Sequence, residues 1–84
     1  MKFSELSLGD LVKVTKEDSF FLENYENKAR FAKLNEILIV VNVNIKGRST
    51  FSIKFITKYG VEYYETYLSH YNYAGYDYFV VIPT

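Results

Sequence analysis

Cysteine and tryptophan are both absent from this 84-residue chain, and histidine occurs once, at His70. The first absence excludes disulfides, thiolate zinc sites, iron–sulfur clusters and a thiol nucleophile. A single histidine excludes two-histidine metal sites and leaves any Ser-His-Asp arrangement dependent on Ser69 or Asp77. Proline is found once, and the four glycines, Gly9, Gly47, Gly60 and Gly75, are scattered singly, so no glycine-rich loop is available to cradle phosphate. The longest purely apolar run, Ile37 to Val41, falls far short of the ~20 residues of a membrane helix. Residues 1–5 lack the apolar stretch of a secretion signal, so a cytoplasmic protein without membrane contact is the expectation. No metal, cofactor or catalysis is expected either. Glu62 and Glu65, the nearest approach to an acid–base pair, stand three residues apart and so on opposite faces of a strand.

Charge of one sign is also lacking, with ten basic and ten acidic residues, which argues against a nucleic-acid mimic and a strongly basic coat protein. Its distribution is uneven: residues 28–58 carry Lys28, Arg30, Lys33, Lys46, Arg48, Lys54 and Lys58 against Glu36 alone, between two acidic flanks. What is abundant is apolar and aromatic: 49% hydrophobic and 19% aromatic residues describe a folding chain, and the length allows one domain, residues 1–84. Residues with AT-rich codons (Phe, Tyr, Ile, Asn, Lys) dominate over Gly, Ala, Arg and Pro. That points to a low-GC bacterium or one of its phages as the source.

Alternation predicts a mainly β fold with one short helix. After a lead-in turn over Phe3 to Leu6, Leu11 to Thr15 reads as a first strand with Val12 and Val14 inward. Glu36 to Ile45 is the strongest strand, with Ile37, Ile39, Val41, Val43 and Ile45 on the core face and Leu38 and Val40 outward. A turn at Lys46-Gly47-Arg48 leads to Thr50 to Thr57, with Phe51, Ile53 and Phe55 inward and Ile56 outward. A turn at Tyr59-Gly60 leads to Val61 to Tyr67, with Val61, Tyr63 and Tyr67 inward and Tyr64 outward. These three strands form an antiparallel meander. Leu68 to Tyr71 has the length of one helical turn, and Tyr78 to Ile82 is a last strand stopped by Pro83. In the long connection Lys16 to Asn35, the stripe Phe21, Tyr25, Ala29 and Ala32, capped by Asp18 or Ser19, predicts a short helix.

The order strand, long loop, three meander strands, helical turn and short final strand resembles the SH3-like small barrel. The resemblance implies five strands with a long first connection. The run Leu8-Gly9-Asp10-Leu11-Val12 is similar to the opening of ribosomal and transcription-factor barrels of the KOW type. The chain departs from polyproline-binding SH3 domains: it has no tryptophan on the meander, and Tyr76-Asp77-Tyr78 lies at the opposite end from their acidic-aromatic motif. Polyproline binding is therefore not implied.

Eight of the nine tyrosines fall between Tyr59 and Tyr78, and tyrosine is enriched at interfaces because it offers large contact area with few rotors and a polar tip. Tyr63, Tyr67 and Tyr78 are assigned to packing. Leu38, Val40, Ile56, Tyr64, Tyr71, Tyr73 and Tyr76 are the expected protein-contact residues, on an outward face that is apolar rather than simply polar. The function expected is a non-catalytic protein-binding module, an accessory factor that docks on and modulates a larger host protein, with self-association through the same face as a variant. The alternative is a nucleic-acid-binding barrel that uses Lys46, Arg48, Lys54 and Lys58 among aromatic rings.

Overall fold

A computed structural model describes residues 2–47, 49–67 and 77–83. A 3-10 turn at Phe3–Glu5 precedes β1 (Leu11–Val14), β2 (Phe21–Glu23), β3 (Ala29–Phe31), β4 (Ile37–Lys46), β5 (Thr50–Thr57), β6 (Gly60–Tyr67) and β7 (Phe79–Ile82). All pair antiparallel in one sheet of order β3-β2-β6-β5-β4-β1-β7. The sheet curls into a half-barrel: Phe20, which leads into β2, touches Phe79 of β7 across the interior at a ring separation of 6.1 Å. The expected meander is present as β4-β5-β6, and β1 and the final strand stand where alternation put them.

Among the described residues the strand number is seven, not five, because the long connection forms a hairpin rather than a helix. Phe20 and Leu22 face inward, and Phe21 pairs with Phe31, Leu22 with Arg30 and Glu23 with Ala29. The stripe Phe21, Tyr25, Ala29 and Ala32 is thus split between two strands and their turn. Left-handed backbone at Asp18, Asn27 and Asn35 punctuates the segment, a conformation that asparagine and aspartate tolerate and a helix interior does not. Asn24 builds the turn, its Oδ1 accepting from the amides of Glu26 and Lys28.

Two further assignments are corrected. In β4 the core residues are Leu38 and Val40, both fully buried, whereas Ile37 and Ile45 are exposed. A bulge between Val40 and Asn42 shifts the register, so the inward positions are even before it and odd after it, where Val43 packs on the core. In β6 the inward residues are Glu62 and Tyr64, with Val61, Tyr63 and Tyr67 on the outer side. Thr57 pairs with Gly60 around the two-residue loop Lys58-Tyr59, so odd residues of β5 face even residues of β6. Phe51, Ile53 and Phe55, buried as expected, therefore bring Thr66, Tyr64 and Glu62 onto the inner face. Gly60 closes this turn at φ +104°, a backbone that residues with a Cβ rarely adopt.

The core is aromatic at its centre. Phe3, supplied by the 3-10 turn, lies 5.5–5.9 Å from the rings of Phe20, Phe51, Tyr64, Tyr78 and Phe79. Burying one such ring stabilises the fold by about 1.5–3 kcal/mol relative to leaving it in water.

Candidate functional site

The inner face ends in a polar cluster. Arg30 of β3 donates through Nη1 and Nη2 to the two Glu36 oxygens at 2.9 and 2.6 Å. It donates through Nε and Nη2 to Glu62 at 2.7–3.2 Å. Glu62 also accepts from the Thr57 hydroxyl at 2.6 Å, and Glu36 from the Lys33 amide at 3.0 Å. Tyr59 stacks on the guanidinium, its ring centroid 4.5 Å from Cζ. The Arg30 hydrogen bonds hold the Glu36 and Glu62 carboxyls below the usual carboxylate range, against the opposing effect of burial, and raise Arg30 above its already high value. Every group here finds its partner within the chain, so the cluster joins β3, β4, β5 and β6 rather than offering a site. Glu62 and Glu65 do occupy opposite faces, Glu62 buried and Glu65 exposed.

The outer face carries an apolar row. Val61 pairs with Ile56, Ile56 with Ile39, Ile39 with Leu11 and Leu11 with Ile82. Direct cross-strand partners project on the same side, so these five aliphatic side chains adjoin across five strands, about 19 Å at the usual strand spacing. Ile37, Lys13 and Val80 form a shorter parallel row beside them. Ile56, Val61, Ile37 and Val80 are exposed, Ile56 at 44%. Lys13 is the one charged residue among these eight, and it makes no ion pair among the described residues. A shallow hollow lined by Leu34, Ile37, Lys33 and Lys58 opens next to Ile37.

Further along the same face lies a hollow of about 270 Å³ lined by Tyr25, Asn42, Asn44, Ser52, Lys54 and Tyr63. Its floor is the cross-strand row Asn42-Lys54-Tyr63 with the pair Asn44-Ser52 beside it. Tyr25 stands over it from the β2–β3 turn, 69% exposed, with its ring 6.3 Å from that of Tyr63 and 5.5 Å from Lys54 Nζ.

Of the expected contact residues, Ile56 is on the outer face, while Leu38, Val40 and Tyr64 are core; burial raises the Tyr64 hydroxyl above its ordinary value. A surface role for those three is overturned by the bulge and the two-residue turn. Tyr63 and Tyr67, assigned to packing, lie outward, and Tyr78 packs partly buried against the core as expected. Tyr71, Tyr73, Tyr76, Ser69, His70 and Arg48 lie outside the described residues, as does the Lys46 side chain. Lys54 lines the hollow, whereas Lys58 sits in the β5–β6 turn over Tyr59, so the two do not meet. Leu11, Ile37, Ile39, Val61, Val80 and Ile82 were not among the expected contact residues; loop length finds Val61 opposite Ile56, whereas Ile39, and through it Leu11 and Ile82, follows only from the register after the Val40/Asn42 bulge. Among the described residues no helix is long and apolar enough to cross a membrane. No family model, curated protein or solved structure matches the chain.

Proposed function

We propose that this chain is a non-catalytic protein-binding module, built on an SH3-like small barrel, that docks on a larger protein in the cytoplasm through the outer face of its sheet. The observation that carries the reading is the aliphatic row Val61-Ile56-Ile39-Leu11-Ile82, half-exposed across five strands of a face that covers no core. Contiguous apolar surface of this kind marks contact sites in soluble proteins. With Lys13 inside the patch and Lys33 and Lys58 at its border, the complementary surface is apolar with carboxylates at its edge. Self-association about a two-fold axis brings these like charges toward one another, which favours a different chain as partner.

The test is affinity capture from lysate of the natural source, with and without nuclease, comparing the parent chain with Ile39→Thr/Ile56→Thr and with Leu8→Ser. Threonine keeps the β-branched backbone preference while removing apolar contact. Leu8 is exposed but lies outside the row. A stoichiometric protein retained by the parent and Leu8→Ser and lost from the double variant supports the docking reading. Retention that ignores the double variant overturns it, and recovery of nucleic acid alone transfers the case to Lys54 and Lys58.

A further inference from the structure

The hollow under Tyr25 gathers four polar side chains of β4 and β5 between two tyrosine rings. Among the described residues, the side chains of Asn42, Asn44, Ser52 and Lys54 take part in no hydrogen bond or ion pair within the chain. The same strands satisfy every buried polar side chain among the described residues on their inner side. Two amides and a hydroxyl without a hydrogen-bond partner thus converge, with the Lys54 ammonium that lies over Tyr25, on a space walled by two tyrosine rings.

Tyr25 is also held in place. Asn24 ties the turn through two side-chain acceptances, its backbone bonds to Lys28 and Asn27 close the loop, and Lys54 lies against the ring face. The turn thus sets where the Tyr25 backbone stands, and the Tyr63 and Lys54 contacts set its ring over the hollow, which reduces the ordering cost of a ligand laid against it.

We infer that this hollow binds a neutral saccharide unit, one pyranose ring with its C–H face on Tyr25 and its hydroxyls on Asn42, Asn44, Ser52 and Lys54. Three features select this class. At 270 Å³ the space sits just below the ~300 Å³ where pockets for small molecules usually begin, so it suits one ring rather than an extended ligand. Each amide offers a carbonyl acceptor and two N–H donors, and a sugar hydroxyl both donates and accepts, so adjacent hydroxyls pair with one amide without leaving a group unmatched. Glu23 stands opposite Tyr63 and lines the adjoining hollow, so that Lys54 is set against a carboxylate and the surroundings lack the cluster of cations that holds a phosphodiester chain, which an uncharged sugar does not need.

The site is separate from the apolar row, so it stands or falls independently of the protein-docking reading. Maltohexaose, cellohexaose and chitohexaose are titrated singly into the full chain by saturation-transfer NMR, with a twelve-residue oligothymidylate as the charged comparison. Binding of at least one hexasaccharide with a micromolar to millimolar dissociation constant is expected, weakened at least tenfold by Tyr25→Ala and by Asn44→Ala and unchanged in Ile39→Thr/Ile56→Thr. Both hollow substitutions are at exposed positions, so the folded signal of each variant's amide spectrum is retained. Absence of binding by all three sugars at about 10 mM, binding indifferent to Tyr25→Ala, or oligothymidylate binding lost in Lys54→Ala without any sugar binding each overturns the assignment.

Discussion

Glu62 and Tyr63 are neighbours in β6 and belong to opposite kinds of polar grouping. On the inner side, Glu62 joins Arg30, Glu36 and Thr57 in a cluster where each donor and acceptor is answered within the chain. On the outer side, Tyr63 borders Asn42, Asn44 and Ser52, whose side chains make no hydrogen bond within the described residues, and Lys54, whose ammonium lies only over the Tyr25 ring. Composition makes the inner group look the more functional, since it holds the close carboxylates and the arginine. Its near-completeness argues for a structural role: a part-buried guanidinium that already spends four of its five N–H donors on two carboxylates keeps little hydrogen-bonding capacity for a ligand. Sites for ligands are found where polar groups are placed but unanswered, and where apolar groups are placed but uncovered.

The largest expected effect breaks the inner grouping. Arg30→Met strands Glu36 and Glu62 with 6% and 5% side-chain exposure, and is expected to cost about 3–5 kcal/mol of stability by urea denaturation. Next comes pH. The folded-state values of Glu36 and Glu62 lie below their unfolded values of about 4.3, so their contribution is fully present above that value and is lost as pH falls through the depressed folded values. Urea midpoints should hold steady above about pH 5, fall below about pH 4, and lose most of this slope in Arg30→Met. The outer face is expected to behave oppositely. Ile39→Thr/Ile56→Thr should lower stability by only about 1 kcal/mol while weakening partner binding more than tenfold. Smallest of all, Tyr25→Ala should move the urea midpoint by no more than about 0.5 kcal/mol equivalent, since its ring is mostly in water.

Much of the fold was legible in the sequence. Strict alternation located β1, β5 and their inward residues, and the valine–isoleucine run located β4. Facing failed where one residue decides it. The bulge at Val40/Asn42 carries no local mark in a run of β-branched residues, so Leu38 and Val40 read as outward. The inversion of β6 was avoidable: a two-residue loop before Gly60 pairs odd with even positions, so an inward Phe55 demands an inward Glu62, and the polar character of Glu62 concealed it. The β2–β3 hairpin competed with a helical stripe whose period was accidental, while Asp18, Asn24, Asn27 and Asn35 already marked turns. Arg30 as the partner of Glu62 needed that hairpin first. The place of Tyr25 beside Tyr63 and Lys54 becomes visible only once the turn carries it there.

The central claim is that the outer aliphatic row serves binding rather than folding. It is tested most directly by titrating the captured partner against the parent chain and Ile39→Thr/Ile56→Thr, with the urea midpoint of each sample measured alongside. The account predicts affinity reduced more than tenfold while the midpoint falls by no more than the equivalent of about 1 kcal/mol, so that both samples are fully folded under the binding conditions. Unchanged affinity, or a loss of affinity that only follows a collapse of the midpoint, would contradict it.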